Sequence, residues 1–275
     1  MAYRDDLEQK YKQLINRIAS AEKVAIAFSG GVDSVFLLYA AKEALGNQVL
    51  ALTVSLRAMP GRELQEAKDF CRQNGIRHRI ERVDEFSIPG FAENPPDRCY
   101  LCKKILFQKM LEAAGAEGFP VLMEGSNLDD QGDYRPGLRA LRELQIQSPL
   151  KDGSFTKAEI REMSRRLLLS TWSKPSMACL ASRFVYGEQI TPEKMTMVEK
   201  AEEYLTELGF VQRRVRMHGS LARIELLPED IPSIMEAGKY RQIQERLAGL
   251  GFSYVTLDLK GFESGSMNRS LDDEK

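Results

Sequence analysis

Ser29-Gly30-Gly31-Val32-Asp33-Ser34 brings hydroxyls, glycines and a carboxylate into one short bend. An apolar run, Val24 to Phe28, precedes it, and a helix-like stretch, Val35 to Leu45, follows. A strand that turns on glycines into a helix leaves several backbone N–H groups aimed at one point, at the positive end of the helix dipole. Such a point holds an anion, usually a phosphate. Ser29 and Ser34 add hydroxyl donors. The Gly-Lys-Ser/Thr ending of the common γ-phosphate-transfer loop is missing. The alternative is a glycine turn with no ligand. The preceding strand, the following helix and the polar residues around the glycines favour the phosphate site.

A second chemistry lies in the cysteines. Cys99-Tyr100-Leu101-Cys102 follows Asn94-Pro95-Pro96-Asp97, and Asp97 suits a helix N-cap. Both thiols then fall in the first turns of a helix and share a face. The helix N-terminus, with Lys103 and Lys104, favours thiolate over thiol. Lys103 and Lys104 are either surface lysines or active-site cations. Cys179 stands in Lys174-Pro175-Ser176-Met177-Ala178-Cys179-Leu180, and Cys71 reads as core packing. Structural zinc needs a fourth ligand, for which only His78 and His218 exist. A three-cysteine [4Fe-4S] cluster has one iron open. A redox pair and a metal-free helix face are the other readings, and the spacing alone favours none of them.

The elements that must position these residues alternate. Strands are expected at Val24–Phe28, Val49–Val54, Arg79–Val83 and Pro120–Gly125. Helices are expected at 4–20, Val35–Leu45, Arg62–Asn74, Tyr100–Ala114 and Thr156–Leu169, the last opened by a Thr156…Glu159 capping box. This order implies an α/β fold with a parallel sheet covered on both faces, and ligands at the carboxyl ends of the strands. Ser29 to Ser34, Ser55 and Gly125 to Asn127 all lie at those ends. Near Tyr186-Gly187 the pattern changes to helix 192–208, strands 211–217 and 222–227, helix 230–248 and strand 253–259. The expected division is therefore a nucleotide-binding domain at 1–186 and a smaller α+β domain with an antiparallel sheet at 187–275.

With 275 residues, 29% charged and 43% hydrophobic, the chain reads as ordinary globular protein. Its net charge of −1 gives no basic footprint for nucleic acid. The first residues have no signal-peptide shape and no apolar run approaches spanning length, so a cytoplasmic address is expected.

The loop pattern resembles that of the ATP pyrophosphatase (PP-loop) superfamily. More of the chain resembles the LarE family of ATP-dependent sulfur transferases. The resemblance rests on Phe28 to Ser34, Cys99 to Lys104 and Glu124-Gly125-Ser126-Asn127. It continues through Asp133-Tyr134-Arg135-Pro136-Gly137, Cys179 to Gly187 and Arg214 to His218. It implies adenylation of a carboxylate on a nicotinate-derived mononucleotide, then displacement of AMP by sulfur, in building the nickel-pincer nucleotide cofactor of lactate racemase. ATP phosphates would lie at Ser29, Gly30, Gly31 and Ser34, with Mg2+. Asp33 would cap the helix or orient a metal-bound water. Ser55 joins the nucleotide site, Gly125 admits backbone to the nucleotide, and Asn127 bonds ribose or adenine or forms a turn. Asp129, Asp130 and Asp133 form a solvated loop or complete the magnesium site, with Arg135 beside them. Ser182, Arg183, Arg214 and Arg216 are expected at the substrate phosphate, because an arginine fork matches phosphate better than lysine does. Exposed strand arginines are the alternative. Some family members sacrifice the sulfur of the cysteine matching Cys179. Others carry a cluster on three cysteines, and Cys99, Cys102 and Cys179 fit that branch. The resemblance also implies a homo-oligomer. The rivals are a tRNA thiolase and a zinc-stabilised ATP-binding module.

Overall fold

The computed structural model describes residues 2–59, 61–131, 136–175, 178–235, 238–263 and 265–268. The chain forms two compact units: Met1–Asp84 with Cys99–Met177, and Glu85–Arg98 with Ala178–Lys275.

In chain order the first unit contains α1 (Ala2–Ala19), β1 (Val24–Ala27), α2 (Val32–Leu45), β2 (Val49–Ser55), α3 (Gly61–Gln73) and β3 (Arg77–Arg82). There follow α4 (Arg98–Ala116), β4 (Val121–Met123), α5 (Gly137–Glu143), α6 (Pro149–Asp152) and α7 (Lys157–Arg166). The four strands are ordered β3-β2-β1-β4, and every pairing is parallel. The expected α/β architecture is what the chain adopts. Val24, Ala25 and Ile26 are fully buried, as an inner parallel strand covered on both faces must be. Leu7, Tyr11, Leu14 and Ile18 of α1 join that core. Cys71 lies in it too, and burial pushes its thiol up to about 12, so it packs rather than reacts. The capping box forms as read: Thr156 Oγ1 accepts from Glu159 N, and Glu159 accepts from Thr156 N. The order of the strands places a topological switch between β1 and β4, where ligands bind in such sheets.

The second unit contains α8 (Pro192–Glu207), β5 (Arg213–His218), β6 (Leu221–Leu226), α9 (Ile231–Met235), α10 (Lys239–Gly249) and β7 (Tyr254–Leu257). β5 and β6 pair antiparallel, but β6 and β7 pair parallel. The expectation of an antiparallel sheet is thus corrected to a mixed one. Two helices separate β6 from β7, and a helical crossover returns the chain in the same direction.

The division also differs from a single cut at residue 186. Residues 85–98 join the second unit because buried hydrogen bonds hold them there. Asn94 Nδ2 donates to Val185 O (2.6 Å), Gly187 N to Asn94 O (2.8 Å), and Arg98 to Ala181 O (2.9 Å). Asn94 is left-handed at φ 54°, a conformation asparagine tolerates better than most residues. Among the described residues, no helix is long and apolar enough to cross a membrane.

Candidate active site

The bend after β1 is held open by its own side chains. Phe28 N still pairs with Leu52 O (2.7 Å), so the strand runs to the edge of the loop. Gly30 is then left-handed at φ 74°, where a side chain would be strained. Gly31 is the N-cap of α2, with no side-chain cap. Ser34 Oγ donates to Gly31 O (3.1 Å), accepts from Ser29 N (3.3 Å), and lies 3.1 Å from Ser29 Oγ. Ser34 is therefore a buried pin that sets the loop's shape, whereas Ser29 is exposed. Ser55 ends β2 beside this bend, half-buried, with its carbonyl bonded to Val83 N (3.2 Å).

The loop after β4 closes against the start of α2. A Cβ on Gly125 would stand 3.1 Å from Ser34 N and 3.2 Å from the Asp33 carbonyl carbon. The backbone that Gly125 admits is thus that of α2. Asn127 is 2% exposed and forms a turn: its Oδ1 accepts from Asp129 N (2.9 Å) and its N–H donates to Asp130 (3.0 Å). Its Nδ2 also reaches Asp33 Oδ1 (3.4 Å). Asp33 does not cap α2. Its other oxygen accepts from Lys157 Nζ. Asp129 accepts from Lys157 N at the start of α7 (2.7 Å), so both described aspartates of the acidic cluster accept backbone hydrogen bonds. Asp133 and Arg135 lie outside the described residues.

Three groups here were missed by sequence reasoning. Lys157 meets Asp33 from 124 residues away. Lys174 Nζ donates to Gly30 O (3.2 Å) and to Glu66 (2.7 Å). Glu124 is 7% exposed and accepts from Ser126 N (3.0 Å), Ser126 Oγ (2.8 Å) and Ser148 Oγ. Burial raises its carboxyl above the usual range, against these bonds and the nearby Lys103 charge. Lys103 itself lies along Gly137, where a Cβ would come within 2.5 Å of its Cδ. Lys104 behaves as a surface lysine, bonded to Glu143 (2.9 Å) and Tyr100 (3.0 Å).

Cys99 and Cys102 sit in the first two turns of α4 as expected, the former exposed and the latter half-buried. Cys179 is exposed in the second unit. Among the described residues, no three His, Cys, Asp or Glu side chains gather into a group that could hold a metal ion.

The arginines of the second unit are not exposed strand residues. Arg183, Arg214 and Arg216 are 1%, 4% and 5% exposed. Arg183 closes its fork on Glu202 (2.8 and 2.9 Å) and donates to Ala178 O, Cys179 O and Ser182 Oγ. Arg183, expected at a substrate phosphate, braces the backbone that carries Cys179. Arg216 closes on Glu225 (3.1 and 2.9 Å) and donates to Ser182 O (3.1 Å). Arg214 donates to Arg213 O (2.7 Å) and lies 5.2 Å from the Phe262 ring. Burial and then the neighbouring Arg183 charge push it down to about 10, a cost that an arriving anion would relieve.

Burial works to raise the Glu202 carboxyl, but Arg183, Arg214 and the Val215 N–H together hold the group below the usual range. A depressed native value stabilises the fold above the unfolded value, and that contribution is lost as pH falls through the native one. Glu202→Gln is expected to cost about 3–5 kcal/mol, because it strands a buried guanidinium. Urea unfolding at neutral pH checks the loss. Repeating it in acid should show the wild type losing its advantage below the ordinary carboxylate range.

Comparison with known proteins agrees with this geometry. A model of the PP-loop domain matches residues 3–133. An uncharacterized Synechocystis protein, slr1717, is 40% identical over 265 residues, 96% of this chain and 99% of that one. The pyridinium-3,5-bisthiocarboxylic acid mononucleotide synthase of Lactiplantibacillus plantarum is 34% identical over 266 residues, 96% of each chain. An uncharacterized protein of Methanocaldococcus jannaschii, MJ0830, is 28% identical over 261 residues, 95% and 96% of the two chains. A strand-to-helix bend that holds a phosphate, at the switch point of a parallel sheet, defines a PP-loop protein. The chain belongs to the LarE family of PP-loop ATP-dependent sulfur transferases.

Proposed function

We propose that this enzyme adenylates a carboxylate of a pyridinium mononucleotide and replaces AMP with sulfur, leaving a thiocarboxylate. The observation that carries the proposal is the pinned Ser29–Ser34 bend facing Gly125 and Asn127 at the switch point, in a chain collinear with a thiocarboxylate-forming synthase. A carboxylate is a poor acyl donor because its oxygen leaves reluctantly. Attack on the α-phosphate of ATP expels pyrophosphate and turns that oxygen into part of AMP, a good leaving group. Exposed Ser29 and the N–H groups at the start of α2 hold the β- and γ-phosphates, with Mg2+ neutralising the departing pyrophosphate. Asp33, held by Lys157 and Asn127, is the carboxylate nearest that magnesium in this reading, and Lys103 supplies positive charge near the acyl oxygen.

Arg214 and Arg216, with Ser182, receive the phosphate of the mononucleotide. Arg214 is the main ligand in this reading, since an arriving phosphate would offset the cost of its burial beside the Arg183 charge. A [4Fe-4S] cluster suits the chemistry of three thiols, two of them in the first turns of α4. When bound on Cys99, Cys102 and Cys179 it would carry a labile sulfide on its open iron. Sacrificial donation by Cys179 is the alternative that its exposure permits.

The test is product analysis after anaerobic incubation with Mg·ATP and a carboxylated pyridinium mononucleotide. The expected product is heavier by the difference between sulfur and oxygen, with one AMP formed per sulfur. Unchanged mononucleotide would contradict the proposal. Arg214→Ala should raise KM for the mononucleotide about tenfold while leaving KM for ATP unchanged, as initial-rate kinetics would show.

A further inference from the structure

The bend lacks the lysine that phosphate-binding loops commonly carry at their helix start. The fold delivers one from elsewhere. Lys174, only 18% exposed, reaches Gly30 from 144 residues away. It donates to the Gly30 carbonyl at 3.2 Å and to Glu66 of α3 at 2.7 Å. α3 backs the loop at the same place, since a Cβ on Gly30 would lie 3.5 Å from the Ala67 Cβ and 3.6 Å from Glu63 O.

The consequence follows from peptide geometry. In a trans peptide the carbonyl and the next N–H point in opposite directions. A Gly30 carbonyl fixed on Lys174 therefore turns the Gly31 N–H the other way. Among the described residues, that N–H is engaged by a long 3.4 Å contact to Ser29 Oγ. It is thus poised for a stronger acceptor. Glu66 stays ionised as the partner of Lys174. Burial works to raise its carboxyl, but the bonds from Lys174 and Arg62 hold it below the usual range.

We propose that Lys174 is the positioning residue for the β- and γ-phosphates of ATP, fixing the Gly30–Gly31 peptide so that the Gly31 N–H faces them. This rests on the assignment of those phosphates to the Ser29–Ser34 bend. AMP carries neither phosphate, so the two ligands separate this role from general packing.

The experiment measures affinities of the full chain for Mg·ATP and for AMP by calorimetry. Lys174→Met is expected to weaken Mg·ATP about tenfold and AMP less than about threefold. Lys174→Arg is expected to restore Mg·ATP affinity to within about threefold of wild type. Equal losses for both ligands, no loss for either, or an arginine variant as weak as the methionine one would overturn the proposal. Should Lys174→Met not fold, Lys174→Leu gives the same comparison, because it too removes the donor to Gly30. A wild-type chain that binds AMP but not Mg·ATP removes the loop assignment itself, and the role of Lys174 with it.

Discussion

Cys179→Ala abolishes thiocarboxylate formation, a loss of more than about 1,000-fold, while carboxylate-dependent pyrophosphate release stays within about threefold of wild type. The separation follows from where the residues lie. The phosphate bend, Asp33, Lys157 and Lys174 belong to the first unit, and Cys179 to the second. Removing the thiol leaves the bend intact. It also leaves the Cys179 backbone intact, because Arg183 holds the Ala178 and Cys179 carbonyls and not the side chain. Cys99→Ala and Cys102→Ala distinguish the two sulfur routes. Equal loss in all three variants supports the cluster. Normal transfer without Cys99 and Cys102, combined with loss of one thiol per turnover in the wild type, supports sacrifice of Cys179. Measuring pyrophosphate and thiocarboxylate side by side checks every branch, and a fully active Cys179→Ala enzyme would remove Cys179 from the mechanism.

Gly125→Val is expected to behave in the opposite way, lowering pyrophosphate release and sulfur transfer together by roughly 100-fold. The first carbon of any side chain at 125 would meet Ser34 N at 3.1 Å and the Asp33 carbonyl carbon at 3.2 Å. Both are backbone atoms and cannot swing aside. The branch of valine adds bulk to that contact, so the start of α2 must move, taking the Ser29–Ser34 hydrogen bonds with it. A steady-state assay of both products checks the joint loss. Pyrophosphate release at the wild-type rate would show that the Gly125 contact does not set the loop.

How much of this was legible in the sequence depended on how local each feature is. The bend is a strand, a turn and a helix in direct succession, so its shape could be read without tertiary information. The same holds for the Thr156–Glu159 capping box, and for Cys99 and Cys102, which share a helix face by spacing alone. The alternation of Arg214 and Arg216 was visible, but their burial was not. Arg216 is held by Glu225 of β6 and Arg183 by Glu202 of α8, partners that only the tertiary fold brings to them. Lys157 and Lys174 were missed for the same reason, their partners lying 124 and 144 residues away. The parallel pairing of β7 was a different failure. The order strand, helix, strand was read correctly, and a helical crossover already implies parallel pairing. Gly125 was singled out for a close approach, and the backbone of α2 lies against it.

The central claim is that the bend after β1 grips the phosphate tail of ATP so that AMP can be loaded onto a carboxyl group. The most direct measurement is exchange of labelled pyrophosphate into ATP, with Mg2+, in the presence and absence of a carboxylated pyridinium mononucleotide. The account predicts exchange that requires the carboxylate, persists in Cys179→Ala, and falls roughly 100-fold in Gly125→Val. Exchange that is absent with every carboxylate offered, from a chain that retains its fold, would contradict it.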